Sequence, residues 1–240
     1  MLRKTKGIVL CLTNYNDRYS IVRVLTEEFG VLSYLTFKDK GKKAKTSRML
    51  FHPLAALEME VEHGKQDIHR LKEAKAFISF PNLLFDPIKS SICLFLAEFL
   101  NKTIRDIQPD KFLFNYLLYS LEILELSSKN YTNFHLVFLI RLSQFLGFYP
   151  NAEEYCKGMY FDLQKGYFVS HKPFHNHFLN PEDSSALALL LRMNYHNMHC
   201  FKLSGSQRYT IINQIIEYYR LHLSYLPEIK SMDILHEIFK

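Results

Sequence analysis

Residues 19–37 decide the fold of the amino-terminal third and read YSIVRVLTEEFGVLSYLTF. β-Branched and aromatic residues fill both halves of this stretch, and Glu28-Phe29-Gly30 stands between them as a turn. The pattern predicts two strands, 20–26 and 31–37, joined as a hairpin. Three further short strands are predicted at 7–12, 57–62 and 68–74. Such a run of short strands is typical of a small barrel, and an oligonucleotide-binding (OB) barrel is the commonest small barrel with a positive face.

The remainder of the chain carries a helical pattern. From Asp86-Pro87 onward, apolar residues recur at the spacing of a helix, with Asp as the N-cap and Pro in the first turn. Further helix starts are predicted at Asp110, Asn133, Asn180-Pro181 and Ser206, and helix ends at Gly147 and Pro227.

Residues 151–180 interrupt this helical rhythm. Two short strands are predicted there, at 159–163 and 166–169, joined at Gln164-Lys165. The fold class that follows is α+β and multidomain. It comprises an OB-fold β-barrel domain at 1–80 and an otherwise all-helical domain at 81–240, with a small β-hairpin insertion at about 151–180.

Positive charge is concentrated at one end of the sequence. The net charge is +6, and residues 1–80 hold 15 basic and 9 acidic residues, so the whole excess lies in the predicted barrel. Such asymmetry indicates that one domain faces a polyanion.

Targeting and redox features favour the cytoplasm. The four cysteines are scattered and form no CxxC pair, so a disulfide framework is not expected. Residues 1–7 lack the pattern of a signal peptide, and no run of about 18 uncharged apolar residues predicts a membrane span. We therefore expect a cytoplasmic protein that does not enter a membrane.

The strongest local signal is the lysine-rich segment 38–48, which lies between two predicted strands. It holds one anion and six cations: Lys38, Lys40, Lys42, Lys43, Lys45 and Arg48. Lysines suit phosphate contacts, because their charges replace condensed counterions and need no fixed geometry. These six residues are the main candidates for nucleic-acid binding, and a solvated loop that only aids solubility is the alternative. Secondary candidates are Arg3, Lys4, Arg18 and Arg23.

Four aromatic residues near these cations are candidates for stacking on bases: Tyr15, Tyr19, Tyr34 and Phe37. Packing in the barrel core is the alternative for each ring. The sequence alone leaves both possibilities open.

Other kinds of chemistry find little support in the sequence. Two segments carry metal-type side chains without the spacing of a zinc site: His171, His175 and His177, and His196, His199 and Cys200. No GxSxG or HExxH motif and no nuclease-like acidic pair is present. We expect no catalytic residue, no metal, no cofactor and no small-molecule substrate, and hence no enzyme.

The order of several motifs resembles the RecO family of recombination mediators over nearly the whole chain. Residues 19–33 are similar to the family's second strand, its T-E-E-x-G turn and the next strand, and the lysine-rich segment follows where the family carries a basic loop. His52-Pro53-Leu54 is similar to the step into the fourth strand, and residues 67–74 to the fifth strand. Residues 138–150 resemble the F-x-x-R-L-x-x-x-L-G-Y-x-P end of a family helix.

This resemblance implies an OB domain followed by a helical domain, with no catalytic centre. It implies binding of single-stranded and double-stranded DNA, annealing of complementary strands, and help in loading recombinase. The implied partners are RecR and the acidic C-terminal tail of single-strand-binding protein, and the implied location is the nucleoid in a bacterial cytoplasm.

One departure from the family concerns a zinc module. Many members carry four cysteines just after the L-G-Y-x-P helix end, whereas this sequence keeps Cys156 alone in that region. We therefore expect a zinc-ribbon-like hairpin that forms without zinc.

Three other functions stay open at this stage. They are an RNA-binding OB protein, a scaffold whose basic segment meets only acidic proteins, and a metal-dependent nuclease that uses the loop histidines. Competition between DNA and RNA, binding to bare oligonucleotides, and cleavage with added metal distinguish them.

Overall fold

The computed structural model describes residues 2–38, 49–64, 67–105 and 107–239. The chain divides into two compact units. One contains Met1–Leu126 and Ile229–Ile238, and the other contains Ser127–Glu228 and Phe239–Lys240. The division into independent domains at residue 80 stays a prediction.

Five strands of the first unit form a closed barrel in the order β1-β2-β3-β5-β4. The strands are β1 (Leu2–Asn14), β2 (Tyr19–Thr26), β3 (Gly30–Phe37), β4 (Ala56–Glu62) and β5 (Ile68–Ile78). β3 and β5 pair in parallel, and all other neighbours are antiparallel. This architecture fits an OB fold, and it confirms the five predicted strands and the turn at Glu28-Phe29-Gly30.

β1 closes the barrel because it pairs with two strands. Its first half lies against β4, its second half lies against β2, and the register shifts between Val9 and Cys11. Gly7 lies where the two pairings overlap, and a Cβ atom there would collide with the side chains of Val24 and Met59. Glycine at this position therefore leaves room for the Val24 and Met59 side chains in the barrel core.

Alternate residues of each strand point into the barrel. The buried cluster includes Val9, Val22, Val24, Tyr34, Leu57, Met59 and Val61. Because the side-chain period of a strand is two, the intervening residues of β2 and β3 must face outward, and this sets the surface considered below.

The described residues form seven α-helices and a 3₁₀ turn. They are α1 (Pro81–Phe85), α2 (Pro87–Thr103), α3 (Lys111–Leu126), α4 (Phe134–Phe145), α5 (Pro181–Leu191), the turn Met198–Cys200, α6 (Gly205–His222) and α7 (Ser231–Ile238). Asp86 accepts hydrogen bonds from the backbone N–H groups of Ile88 and Lys89, and Asp110 caps α3 in the same way. Both predicted caps are confirmed.

Two other predicted caps are wrong. The Asn133 side chain does not cap α4 and donates instead to the carbonyls of Met198 and Phe201, at 3.0 and 2.7 Å. Ser204, not Ser206, caps α6, because its hydroxyl and the side chain of Gln207 form a capping box. α6 also ends at His222, before the predicted end at Pro227.

The second unit holds a three-stranded sheet of order β7-β6-β8 within residues 151–180. β6 (Tyr160–Asp162) and β7 (Tyr167–Val169) form the predicted hairpin, and β8 (Phe178–Leu179) adds a strand that the sequence pattern did not predict. In the described part of the chain, no helix has both the length and the apolar character needed to cross a membrane.

A carboxylate on α2 holds the start of α7. Glu98 accepts hydrogen bonds from the Lys230 and Ser231 N–H groups at 3.1 and 2.8 Å, from the Ser231 hydroxyl, and from the Lys102 ammonium. Burial alone would raise the pKa of Glu98, but these donors outweigh it and lower the pKa to about 2.

We predict that Glu98→Gln destabilises the protein at pH 7 by about 1–3 kcal/mol, because an uncharged amide caps the helix less well. Since the folded pKa lies below the ordinary value of 4.5, the contribution is complete above that value and is lost as the pH falls toward 2. Urea unfolding at stepwise lower pH should show the difference between the two proteins shrinking. Glu73→Gln removes an exposed carboxylate on β5 and serves as the control. An unchanged difference at low pH would contradict the assignment.

Candidate nucleic-acid interface

The outward face of β2 and β3 carries an aromatic pair, in which Phe37 is exposed and Tyr19 is half-buried. Tyr19 lies opposite Phe37 in the strand register, and their ring centroids are 4.6 Å apart. Phe37 is 67% exposed although it is a large apolar side chain. Ile21 opposite Leu35 continues the same face toward Arg23. An exposed ring such as Phe37 on a barrel surface offers flat apolar area on which a nucleobase can stack.

Two cations lie at the edge of this aromatic pair. The Lys38 N–H donates to the Arg18 carbonyl at 2.8 Å, so these residues lie side by side where β2 begins and β3 ends. Asn16 shapes the loop by accepting from the Arg18 and Tyr19 N–H groups at 2.9 Å each. Among the described residues, no carboxylate lies within ion-pair distance of Arg18 or Lys38. Tyr15, in the same loop, is 61% exposed.

β5 adds two residues that the sequence analysis missed. Ile68 and Arg70 lie opposite Ser33 and Leu35 through the parallel pairing, and both are exposed. Arg70 also faces Glu62 on β4, whose carboxylate bounds the positive surface on that side. Only the parallel pairing brings Arg70 to this face, and local patterns do not reveal it.

Arg23 lies on the same face but is held by the backbone. Its Nη2 donates to the Arg105 carbonyl at 2.8 Å. The guanidinium of Arg23, a predicted DNA-binding residue, is therefore held by the backbone of a segment that follows the barrel.

Lys4 and Arg3 lie away from the aromatic pair. Lys4 is opposite Glu60, on a face where Lys75 and Lys72 pair with Glu58 and Glu62 at 2.8 and 2.9 Å. Hydrogen bonds from those lysines lower the pKa of both glutamates, so the carboxylates are charged and balance the cations. Arg3 is opposite Val61, at the far end of β1 from the loop that holds Arg18.

The other predicted cations are Lys40, Lys42, Lys43, Lys45 and Arg48, which lie outside the described residues. Lys38 alone of the six main candidates is placed. The structure thus places Arg18 and Lys38 next to each other at one end of the β2–β3 pair and Arg23 on the outward face of β2, and it separates Arg3 and Lys4 from them.

Comparison with known proteins covers the whole chain. The family models described as recombination protein O N terminal and C terminal match residues 1–80 and 84–231. A DNA repair protein RecO of Azobacteroides pseudotrichonymphae genomovar. CFP2 is 57% identical over 100% of both chains. Those of Phocaeicola vulgatus and Flavobacterium psychrophilum are 44% and 30% identical, over 100% and 98% of each chain.

The chain belongs to the RecO family. The resemblance noted from the motifs is thereby confirmed, together with the barrel and the helical region that it implied.

For Tyr34 of this RecO chain, the structure decides between base stacking and core packing, which the sequence left open. Its side chain is 0% exposed and packs in the barrel core, with its hydroxyl 3.4 Å from His63 Nε2. Burial raises the pKa of the phenol well above its ordinary value. Tyr34 points inward because it pairs with Val22, so it cannot stack on a base.

The four-cysteine zinc module of many RecO proteins does not fit this chain. Cys156 is exposed, and within the described ranges no group of three or more His, Cys, Asp or Glu side chains is placed to hold an ion. The hairpin is organised by Asp162, which is 2% exposed. One carboxylate oxygen accepts from the Gln164 and Lys165 N–H groups at 3.0 and 3.1 Å, and the other lies 3.2 Å from His175 Nε2.

We predict that Tyr34→Ala destabilises the protein much more than Phe37→Ala does. Tyr34→Ala should lower the free energy of unfolding by about 3–5 kcal/mol, because it leaves a cavity in the barrel. Phe37→Ala should lower it by about 1 kcal/mol or less, since it loses only a surface ring contact. Urea unfolding followed by circular dichroism measures both. Equal losses would contradict the inward and outward assignments.

Proposed function

We propose that this RecO family protein is a DNA-binding recombination mediator that binds single-stranded and double-stranded DNA. The observation that carries the proposal is the outward Tyr19–Phe37 pair, in which Phe37 is exposed and Tyr19 half-buried, with Arg18 and Lys38 at its edge. Stacking on the rings favours unpaired bases, and the cations favour phosphates of any sequence. The names of the relatives, DNA repair proteins, agree with this use of the surface.

The lysine-rich segment extends the same interface in this proposal. Lys38 borders residues 39–48 and lies at the edge of the aromatic pair, so the chain enters the segment at that face. The segment then supplies Lys40, Lys42, Lys43, Lys45 and Arg48 as further phosphate contacts. Arg3 and Lys4 are weaker candidates, because charged glutamates neighbour Lys4 and Arg3 stands at the other end of β1.

Strand annealing follows from the same physical properties. Cations screen the repulsion between two phosphate backbones, while contacts that ignore sequence leave the bases able to pair. Recombinase loading with RecR, and docking of the C-terminal tail of single-strand-binding protein on the helical region, are proposed from family membership. Neither needs a catalytic centre or a cofactor, and a DNA partner places the protein at the nucleoid of the cytoplasm.

The β6–β8 module takes the place of a zinc ribbon in this proposal. The Asp162 carboxylate contacts both the β6–β7 turn and His175. In this proposal, these contacts stabilise the hairpin in place of a bound metal. We predict less than about 0.1 zinc per chain in protein purified without a histidine tag, measured by atomic emission, because Cys156 alone cannot supply the four ligands of a structural zinc site. About one zinc per chain would overturn the metal-free module.

We predict that wild-type protein binds a labelled single-stranded oligonucleotide with a steep salt dependence in fluorescence anisotropy. A Lys40/Lys42/Lys43/Lys45→Ala variant should bind more weakly, and its log–log salt slope should be shallower by up to about 3, since each lost phosphate contact contributes about 0.7. The matched control is Lys111/Lys129/Lys157/Lys202→Ala, which removes four exposed lysines elsewhere.

The outcomes separate the functions. No binding by wild type at low salt would refute the DNA-binding proposal and favour a scaffold for acidic proteins. If the lysine variant bound DNA as tightly as wild type, the role of the lysine-rich segment would be refuted, but the DNA-binding proposal would stand. Preference for an RNA strand of the same sequence would favour an RNA-binding protein.

A further inference from the structure

The three-stranded sheet of the second unit has one buried face and one outward face. In the strand register, Phe161 lies between Phe168 and Leu179, and all three side chains are buried. Because the side-chain period of a strand is two, the residues that alternate with these point the other way. The outward face therefore carries one aromatic residue on each strand: Tyr160, Tyr167 and Phe178.

Two lysines lie beside rings of this face. The Lys165 ammonium is 5.8 Å from the centroid of the Tyr167 ring, and the Lys172 ammonium is 5.3 Å from the centroid of the Phe178 ring. Tyr167 is 43% exposed, Phe178 is half-buried, and both lysines are exposed. A nucleotide can therefore stack its base on an aromatic ring and place its phosphate at the neighbouring ammonium.

The carboxylate on the same face does not neutralise these two cations. Asp162 lies between Tyr167 and Phe178 in the register, but it is 2% exposed and accepts hydrogen bonds from the β6–β7 turn. Its distance of 4.0 Å from the Lys165 ammonium is at the limit of an ion pair. Among the residues that the structure describes, no carboxylate lies within ion-pair distance of Lys172. A phosphate can thus reach both ammonium groups from the solvent.

We propose that the outward face of β6, β7 and β8 is a second surface for single-stranded DNA. The inference rests on the proposed function and deepens it by adding a DNA surface in the second unit. Phe174, in the loop between β7 and β8, is a fully exposed ring of the same module. Rings favour strands whose bases are unstacked, and lysines accept phosphates of any sequence. With one surface on the barrel and one on this sheet, a single chain has separate contacts for two strands.

The test compares Lys165/Lys172→Gln with Lys129/Lys202→Gln in the full-length protein. The ligand is a labelled single-stranded oligonucleotide of about 40 nucleotides, longer than the site of one OB fold, and binding is followed by anisotropy. The control removes the same charge from two exposed lysines of the second unit. Gln at position 165 retains the backbone N–H that donates to Asp162.

Lys165/Lys172→Gln should reduce the log–log salt slope by about 1.4, because each lost phosphate contact contributes about 0.7. The same slope corresponds to a loss of affinity of up to about 25-fold at 0.1 M salt. The control variant should leave both the slope and the affinity unchanged.

A second variant tests the stacking role. Tyr167→Leu keeps apolar bulk in the sheet but loses the flat ring, so it should weaken binding about fivefold. Its salt slope should equal that of wild type, since no charge is lost. Phe112→Leu removes an exposed ring from α3 and should bind like wild type.

The outcomes separate this inference from the proposed function. If Lys165/Lys172→Gln bound like wild type, or if it and its control lost affinity equally, the second surface would be overturned and the proposed function would stand. If Tyr167→Leu bound like wild type, the stacking role would be overturned. No binding by wild type would overturn both proposals.

Discussion

The closure of the barrel through β1 is the constraint on which the interface depends. Because β1 pairs with β4 along one half and with β2 along the other, the sheet has no open edge between them, and β1 sets the register of both neighbours. Gly7 permits this close packing, since any side chain there would meet Val24 and Met59 in the core. A slip of one residue in β3 would exchange the inward and outward sets and place Tyr34 on the surface.

Charge placement on the closed barrel matters more than net charge. Lysines and glutamates balance each other on the outward side of β1, β4 and β5, with close ion pairs at Lys72–Glu62 and Lys75–Glu58. The edge beside Tyr19 and Phe37 instead carries Arg18 and Lys38. A polyanion would therefore meet a local positive surface, and the aromatic rings at that surface favour strands whose bases are unstacked.

Features that depend on residues close together in sequence were predicted correctly. Features that depend on contacts between residues far apart in sequence were not. Asp86 and Asp110 cap their helices through local hydrogen bonds, and both were correctly predicted. The helices α1 and α7 were missed because carboxylates from other helices hold their first turns, Glu125 for α1 and Glu98 for α7. The orientation of Tyr34 was open because apolar residues occupy both faces of β3. Arg70 and Arg105 were not recognised as neighbours of the interface, because a parallel strand pair and a contact 82 residues apart bring them there.

The most direct test of the account locates DNA on the protein. A single-stranded oligonucleotide containing 4-thiothymidine would be crosslinked to the full-length protein with long-wavelength light, and the modified residues would be identified by mass spectrometry. We predict crosslinks at Tyr19 and Phe37 on the outward β2–β3 face and at Tyr15 in the loop that precedes β2. Crosslinks confined to the outward face of β4, or to residues 127–228, would contradict the assignment of the DNA interface to this face of the barrel.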